Sequence, residues 1–154
     1  MPIQARAEET RIRILDAGRV CFSLSGYDAT SVSDVCQEAG ITKGAFYYHF
    51  ESKLSLFLEL QNQWFSQFDM VLRMSAETRQ TGKERLLSLQ EFSREIFTGA
   101  GNYAPLLFEF WVQSTRIPPV QKKSAESFKR HVDMLNRLIV EGQADGSIKA
   151  GDPE

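Results

Sequence analysis

Apolar residues recur every three or four positions along nearly the whole chain, the period of a helix, and no stretch alternates strictly as a half-buried strand would. The pattern predicts an all-α protein. Ile14, Leu15, Gly18, Cys21 and Phe22 form the first stripe, which stops before Ser25-Gly26, where glycine suits a helix C-terminus. Gly18 costs about 1 kcal/mol of helix propensity against alanine, so a close helix contact is expected there in compensation. Thr30 or Ser31 suits the cap of a short second helix with Val32, Val35, Cys36 and Ala39 inward. Gly40 breaks that pattern, and Thr42 can cap a third short helix in which Phe46 and Phe50 lie one turn apart.

Ser52 opens a longer helix, expected over residues 53–72, whose apolar arc through Leu54, Phe57, Leu58, Trp64, Phe65, Phe68 and Leu72 is wide enough to touch two bodies. A polar stretch from Ser75 to Gly82 follows. Thr81 and Glu84 have capping-box spacing for a helix carrying Leu86, Leu89, Phe92, Ile96 and Phe97. Pro105 suits the first turn of the next, with Leu106, Leu107, Phe110 and Trp111 on its face, and Ile117-Pro118-Pro119 ends it. A last helix is expected from about Val120 to Gly142, with Phe128, Val132, Leu135, Leu138 and Ile139 inward. The final Asp152-Pro153-Glu154 reads as a helix start, so the chain reads as truncated at its C-terminus.

Composition adds limits. Of 154 residues, 42% are hydrophobic and 25% charged, which suits a folded globular chain and not a disordered one. The N-terminus carries Arg6, Glu8, Glu9, Arg11 and Arg13 in place of an apolar stretch, so a cytoplasmic protein with no membrane span is expected. Cys21 and Cys36, the only cysteines, sit among apolar helix residues and are expected as reduced, buried thiols. The net charge of −2 gives no general basic field, and residues 1–60 hold six Lys and Arg against eight Asp and Glu. A nucleic-acid partner would have to be held by charge placed locally.

Such placement exists. Two short helices joined by Ala39-Gly40-Ile41-Thr42 make the arrangement that lets a helix N-terminus enter a major groove. The outward face of the second combines hydroxyls, a cation and small residues: Thr42, Lys43, Gly44, Ala45, Tyr47, Tyr48 and His49. Gly44 and Ala45 leave room for a base edge or phosphate to approach the backbone. Tyr47 and Tyr48 can also be read as half-buried aromatics with a wet edge, and Arg6 and Arg11 as a minor-groove arm or as solvated charge.

Gly26-Tyr27-Asp28-Ala29-Thr30-Ser31-Val32, Asp34-Val35, Ala39 through Gly44, Phe46 through Phe50 and Ser52-Lys53 together resemble the DNA-binding domain of the TetR/AcrR family of bacterial transcriptional regulators. The resemblance implies Thr42, Lys43, Ala45 and Tyr48 toward base edges or nearby sugar, and Ser31, Tyr47, His49 and Lys53 toward phosphates. Lys53, in the first turn of its helix, would add a cation where amides already favour an anion. The expected organisation is a helix-turn-helix domain over residues 1–52 and a helical ligand-binding and dimerisation domain over 53–154, joined through the connector helix 53–72.

The second part resembles the family's regulatory domain through Leu107-Phe108-Glu109-Phe110-Trp111 and the stretch from Ile139 to Ile148. The resemblance implies an apolar ligand pocket. Trp64, Phe68, Phe92, Phe110, Trp111 and Phe128 could line it, with Gln61, Gln113 or Glu109 as polar anchors, or these residues fill an ordinary core. It further implies a repressor released from a palindromic double-stranded operator by a small apolar or amphipathic effector. A homodimer is expected, although the two further helices that pair subunits in the family are absent here. No catalysis, metal or cofactor is expected, since His49 and His131 stand in no nucleophile or ligand spacing. The rival is a helical small-molecule-binding or protein-interaction module without DNA binding.

Overall fold

A computed structural model describes residues 2–78, 81–98, 103–149 and 151, with side chains at all of these except 2, 3, 68, 71, 72, 75–78, 91–93, 95–98 and 103. Among the described residues seven helices and no strand follow in order: α1 (Pro2–Ala29), α2 (Val32–Ala39), α3 (Lys43–His49), α4 (Lys53–Thr78), α5 (Gly82–Thr98), α6 (Tyr103–Ser114) and α7 (Pro118–Ala144). None of these described helices is long and apolar enough to cross a membrane.

The local stop and start signals act where they stand. Gly26 adopts φ 77° and ψ 169°, which breaks α1 after Ser25 and leaves residues 27–29 as a separate turn. Ser31, not Thr30, caps α2; the Thr30 hydroxyl is buried and donates instead to the carbonyls of Gly26 (2.7 Å) and Cys21 (3.2 Å). Thr81 and Glu84 exchange the two bonds of a capping box at α5, 3.2 and 3.3 Å long. The connector helix is longer than the expected 53–72: α4 continues through Thr78, into the polar stretch that begins at Ser75. The i to i−4 backbone ladder does not require apolar side chains, so polarity alone does not end a helix.

The core begins among α1, α2 and α3, where Ile14, Phe22, Val35, Phe46 and Phe50 are buried, and continues without a gap through Leu56, Phe57 and Trp64 of α4 to Phe110 of α6 and Val120 of α7. Apolar contact thus crosses the division expected at residue 52. Gly18 shows why its helix accepts glycine: a Cβ there would lie 2.8 Å from Leu56 Cδ2, so α1 and α4 meet at that point. Phe57 is the hub, its ring 5.2 Å from Phe22, 4.7 Å from Tyr27 and 5.0 Å from Phe110. Cys21 and Cys36 are free thiols, half-buried and buried, and burial raises the pKa of both.

Two inward faces differ from expectation. On α7 the buried positions are Val120, Ser127, Leu138 and Gly142, while Phe128 is 60% exposed and Val132 and Ile139 also face solvent. One residue is about 100° of helix rotation, so Ser127 inward turns Phe128 out. The rotation goes with close approach: a Cβ on Gly82 would lie 2.4 Å from the Gly142 backbone nitrogen, and one on Gly142 would lie 2.5 Å from Ile148 Cδ1. It is reinforced by buried Gln61, whose Nε2 donates to Ser124 Oγ at 2.8 Å. On α6, Leu106, Phe110 and Gln113 are buried and Trp111 is 61% exposed. Gln113 earns its inward place by donating to Glu109 Oε1 (2.9 Å) and Asp28 Oδ2 (3.3 Å).

Candidate nucleic-acid interface

The turn between α2 and α3 is built by one glycine and one arginine. Gly40 closes α2 in the left-handed region, φ 62° and ψ 42°, and the amide of Ile41 donates back to Cys36 O at 3.0 Å. Arg13, reaching from α1, donates to the carbonyls of Ala39 and Gly40, the latter at 3.2 Å. Nothing local in the sequence marks Arg13 for this task, because its partners lie 26 and 27 residues away. Thr42 then caps α3, its hydroxyl accepting from the Ala45 amide at 3.2 Å.

Burial of Phe46 and Phe50 sets the rotation of α3, and the opposite face is open. Thr42, Lys43 and Gly44 are exposed, Tyr47 and Tyr48 are 55% and 80% exposed, and Ala45 and His49 are half-buried. At Gly44 a Cβ would meet nothing nearer than Thr42 Oγ1 at 3.7 Å, so the small residue leaves the surface free rather than filling a contact. Tyr48 and His49 stack edge-on, ring centres 4.9 Å apart. The structure therefore gathers seven of the nine expected contact residues, Thr42, Lys43, Gly44, Ala45, Tyr47, Tyr48 and His49, on one short element.

The other two, Ser31 and Lys53, are engaged internally. Ser31 Oγ accepts from the Asp34 amide (3.2 Å) and donates to Asp34 Oδ2 (2.7 Å), and the Ser31 amide donates to the same oxygen at 2.8 Å. These bonds hold the Asp34 carboxyl below its ordinary pKa. Lys53 Nζ donates to Tyr27 O (2.6 Å) and Thr30 O (2.7 Å) and lies 4.2 Å from the centre of the Tyr27 ring. Two of its three donors thus tie the α1–α2 corner to α4. Arg11, considered for a minor-groove arm, pairs instead with Glu59 at 2.9 Å and stands over the Phe50 ring. Arg6 is exposed on the helical part of α1.

Those of the expected ligand residues whose side chains are described do not gather around one site. Gln61, Trp64 and Phe110 are buried as packing, Trp111 and Phe128 face outward, and the side chains of Phe68 and Phe92 lie outside the described residues.

Residues 14–60 match the family model described as bacterial regulatory proteins, tetR family. This segment is a DNA-binding domain of the tetR family of bacterial regulatory proteins. That segment spans the helix-turn-helix and the first turns of α4. Among curated relatives, the fatty acid metabolism regulator protein of Bacillus subtilis is 24% identical over 140 residues, covering 91% of this chain and 71% of that one. The HTH-type transcriptional regulator AcrR of Shigella flexneri is 44% identical over 54 residues, 35% of this chain and 25% of its own. The solved structure of the regulator FadR from Bacillus subtilis in complex with stearoyl-CoA superposes with a TM-score of 0.77 at 24% identity, over 92% of this chain and 75% of that one, which shows a shared fold.

Proposed function

We propose that this chain is a TetR-family regulator that binds a palindromic operator as a homodimer, places α3 in the major groove, and acts as a repressor released when a small apolar or amphipathic molecule occupies its C-terminal helices. The observation that carries the DNA half is the open polar face of α3, braced from behind by Arg13, Phe46 and Phe50. In this reading Thr42, Lys43, Ala45 and Tyr48 reach base edges or sugar, while Tyr47 and His49 reach phosphates and Gly44 admits the backbone. The remaining donor of Lys53 adds a phosphate contact at the edge, and Ser31 adds another by turning its hydroxyl from Asp34 to the phosphate. With residues 1–60 carrying no basic excess, affinity depends on two copies binding together.

The effector half is supported by the names of relatives: one regulates fatty acid metabolism and one solved neighbour holds stearoyl-CoA. A regulator of this kind works in the cytoplasm beside its DNA, and no catalytic step is assigned to it. The acid balance of residues 1–60 favours a second reading, a helical binding module without DNA binding. Selection of bound sites from random DNA decides between them. Enrichment of a palindrome, lost in Lys43→Ala, is the expected result; failure of a dimeric sample to enrich any site would overturn the operator reading.

A further inference from the structure

Away from the aromatic core, α4, α5 and α7 border a cleft of about 380 Å3, at the lower end of the ~300–1,000 Å3 typical of small-molecule sites. Its floor is apolar: Leu138 is buried and Met134 half-buried, both within a small cluster with Leu89. Its walls are charged. Arg85 of α5 is matched by Glu141 of α7, Nη1 to Oε2 at 2.6 Å, and Asp69 of α4 lies 3.4 Å from His131, whose pKa burial lowers, so the Asp69 carboxylate stays as one negative charge on the wall. That leaves two guanidinium groups. Arg73 of α4 makes no hydrogen bond or ion pair among the described residues, and Arg137 of α7 uses only Nε, on the Asp133 carbonyl of its own helix at 3.4 Å. Both line the same cleft from opposite helices.

A guanidinium offers a planar fork of donors that fits carboxylate and phosphate oxygens, and two forks beside an apolar floor favour one chemical class. We infer that this cleft binds an amphipathic anion, its carboxylate or phosphate head between Arg73 and Arg137 and a short apolar tail over Met134 and Leu138. The inference rests on the proposed ligand-binding role of the C-terminal helices and narrows the effector from any apolar molecule to an anionic one. It assigns no part to Trp111 or Phe128.

Calorimetric titration with octanoate, octyl phosphate, 1-octanol and octyltrimethylammonium tests it on the whole chain. Saturable binding of octanoate or octyl phosphate about tenfold or more tighter than that of octanol or the cation is expected. The tighter of the two anions identifies the head group. Arg73→Gln combined with Arg137→Gln should abolish the preference while octanol binding persists, and since both arginines are exposed the helical circular dichroism should not change. Equal affinity for octanol and octanoate, anion preference retained in the double variant, or no saturable binding of either anion would each overturn the assignment. Operator binding by the same samples is read separately by gel shift, so loss of the DNA reading is not confused with loss of this one.

Discussion

The backbone amide of Tyr27 donates to Glu109 Oε1 at 2.8 Å, joining the corner between α1 and α2 to the middle of α6 across 82 residues of sequence. The same carboxylate accepts from Gln113, and a Cβ at Gly26 would lie 3.3 Å from its other oxygen. Lys53 holds the carbonyls on the far side of this corner. The α1–α2 corner of the helix-turn-helix segment is thus attached to α6 at a definite point. Glu109→Ala is expected to cost about 1–3 kcal/mol, the range for unmaking a bond to a part-buried charged group, measured by denaturant unfolding. Octanoate should still bind the variant but release less operator than from the parent; unchanged release would show that coupling runs elsewhere.

Gly44 and Gly82 should respond oppositely to the same substitution. Gly44→Ala meets open space within a helix and should leave stability unchanged or raise it by about 0.5–1 kcal/mol. It should nonetheless weaken operator binding, because the added methyl projects from the reading face. Gly82→Ala places a methyl against the Gly142 backbone and should cost about 1–3 kcal/mol or more. Melting temperatures and gel shifts of the two variants provide the comparison, and a Gly44→Ala protein with normal operator affinity would contradict the placement of that face.

The two lysines of the interface should separate by kind of effect. Lys43 is exposed and assigned to base edges or nearby sugar, so Lys43→Ala should weaken binding to the selected operator more than to random DNA and leave the melting temperature alone. Lys53→Met removes two bonds to corner carbonyls and should destabilise by about 2 kcal/mol. A Lys53→Met protein as stable as the parent would mean that the corner needs no brace.

His131 makes stability depend on acidity. Burial lowers its pKa below the ordinary value of 6.5, against the opposing pull of Asp69. The unfolded chain therefore takes up a proton at this ring before the folded one does, so stability contributed above pH 6.5 is lost as pH falls through the lower folded-state value. His131→Gln should show a shallower loss between neutral and mildly acidic pH in urea unfolding. Parallel curves for variant and parent would rule out His131 as the source.

The helices could be read from the chain because their limits are written in residues a few positions apart. Gly26, Ser31, Gly40, Thr42, the Thr81–Glu84 pair and Pro118 each act on backbone groups within about one turn. The open face of α3 was equally legible, since Phe46 and Phe50 declare its buried side. Polarity misled at residues 75–78, where a polar sequence and helix are compatible.

Rotation and partnership between helices were decided only in three dimensions. A wide apolar arc on α7 permits several inward faces, and the contact of Gly82 with Gly142 and the bond from Gln61 to Ser124 choose the one that turns Phe128 outward. Likewise a lysine at the start of α4 suits a phosphate by sequence, but in the fold two carbonyls 26 and 23 residues away lie within its reach. Local hydrogen-bonding rules act through the neighbouring residues of the chain and so can be read along it. Which faces and charges meet depends on close packing among segments far apart in sequence, and that is settled only when all the helices are in place.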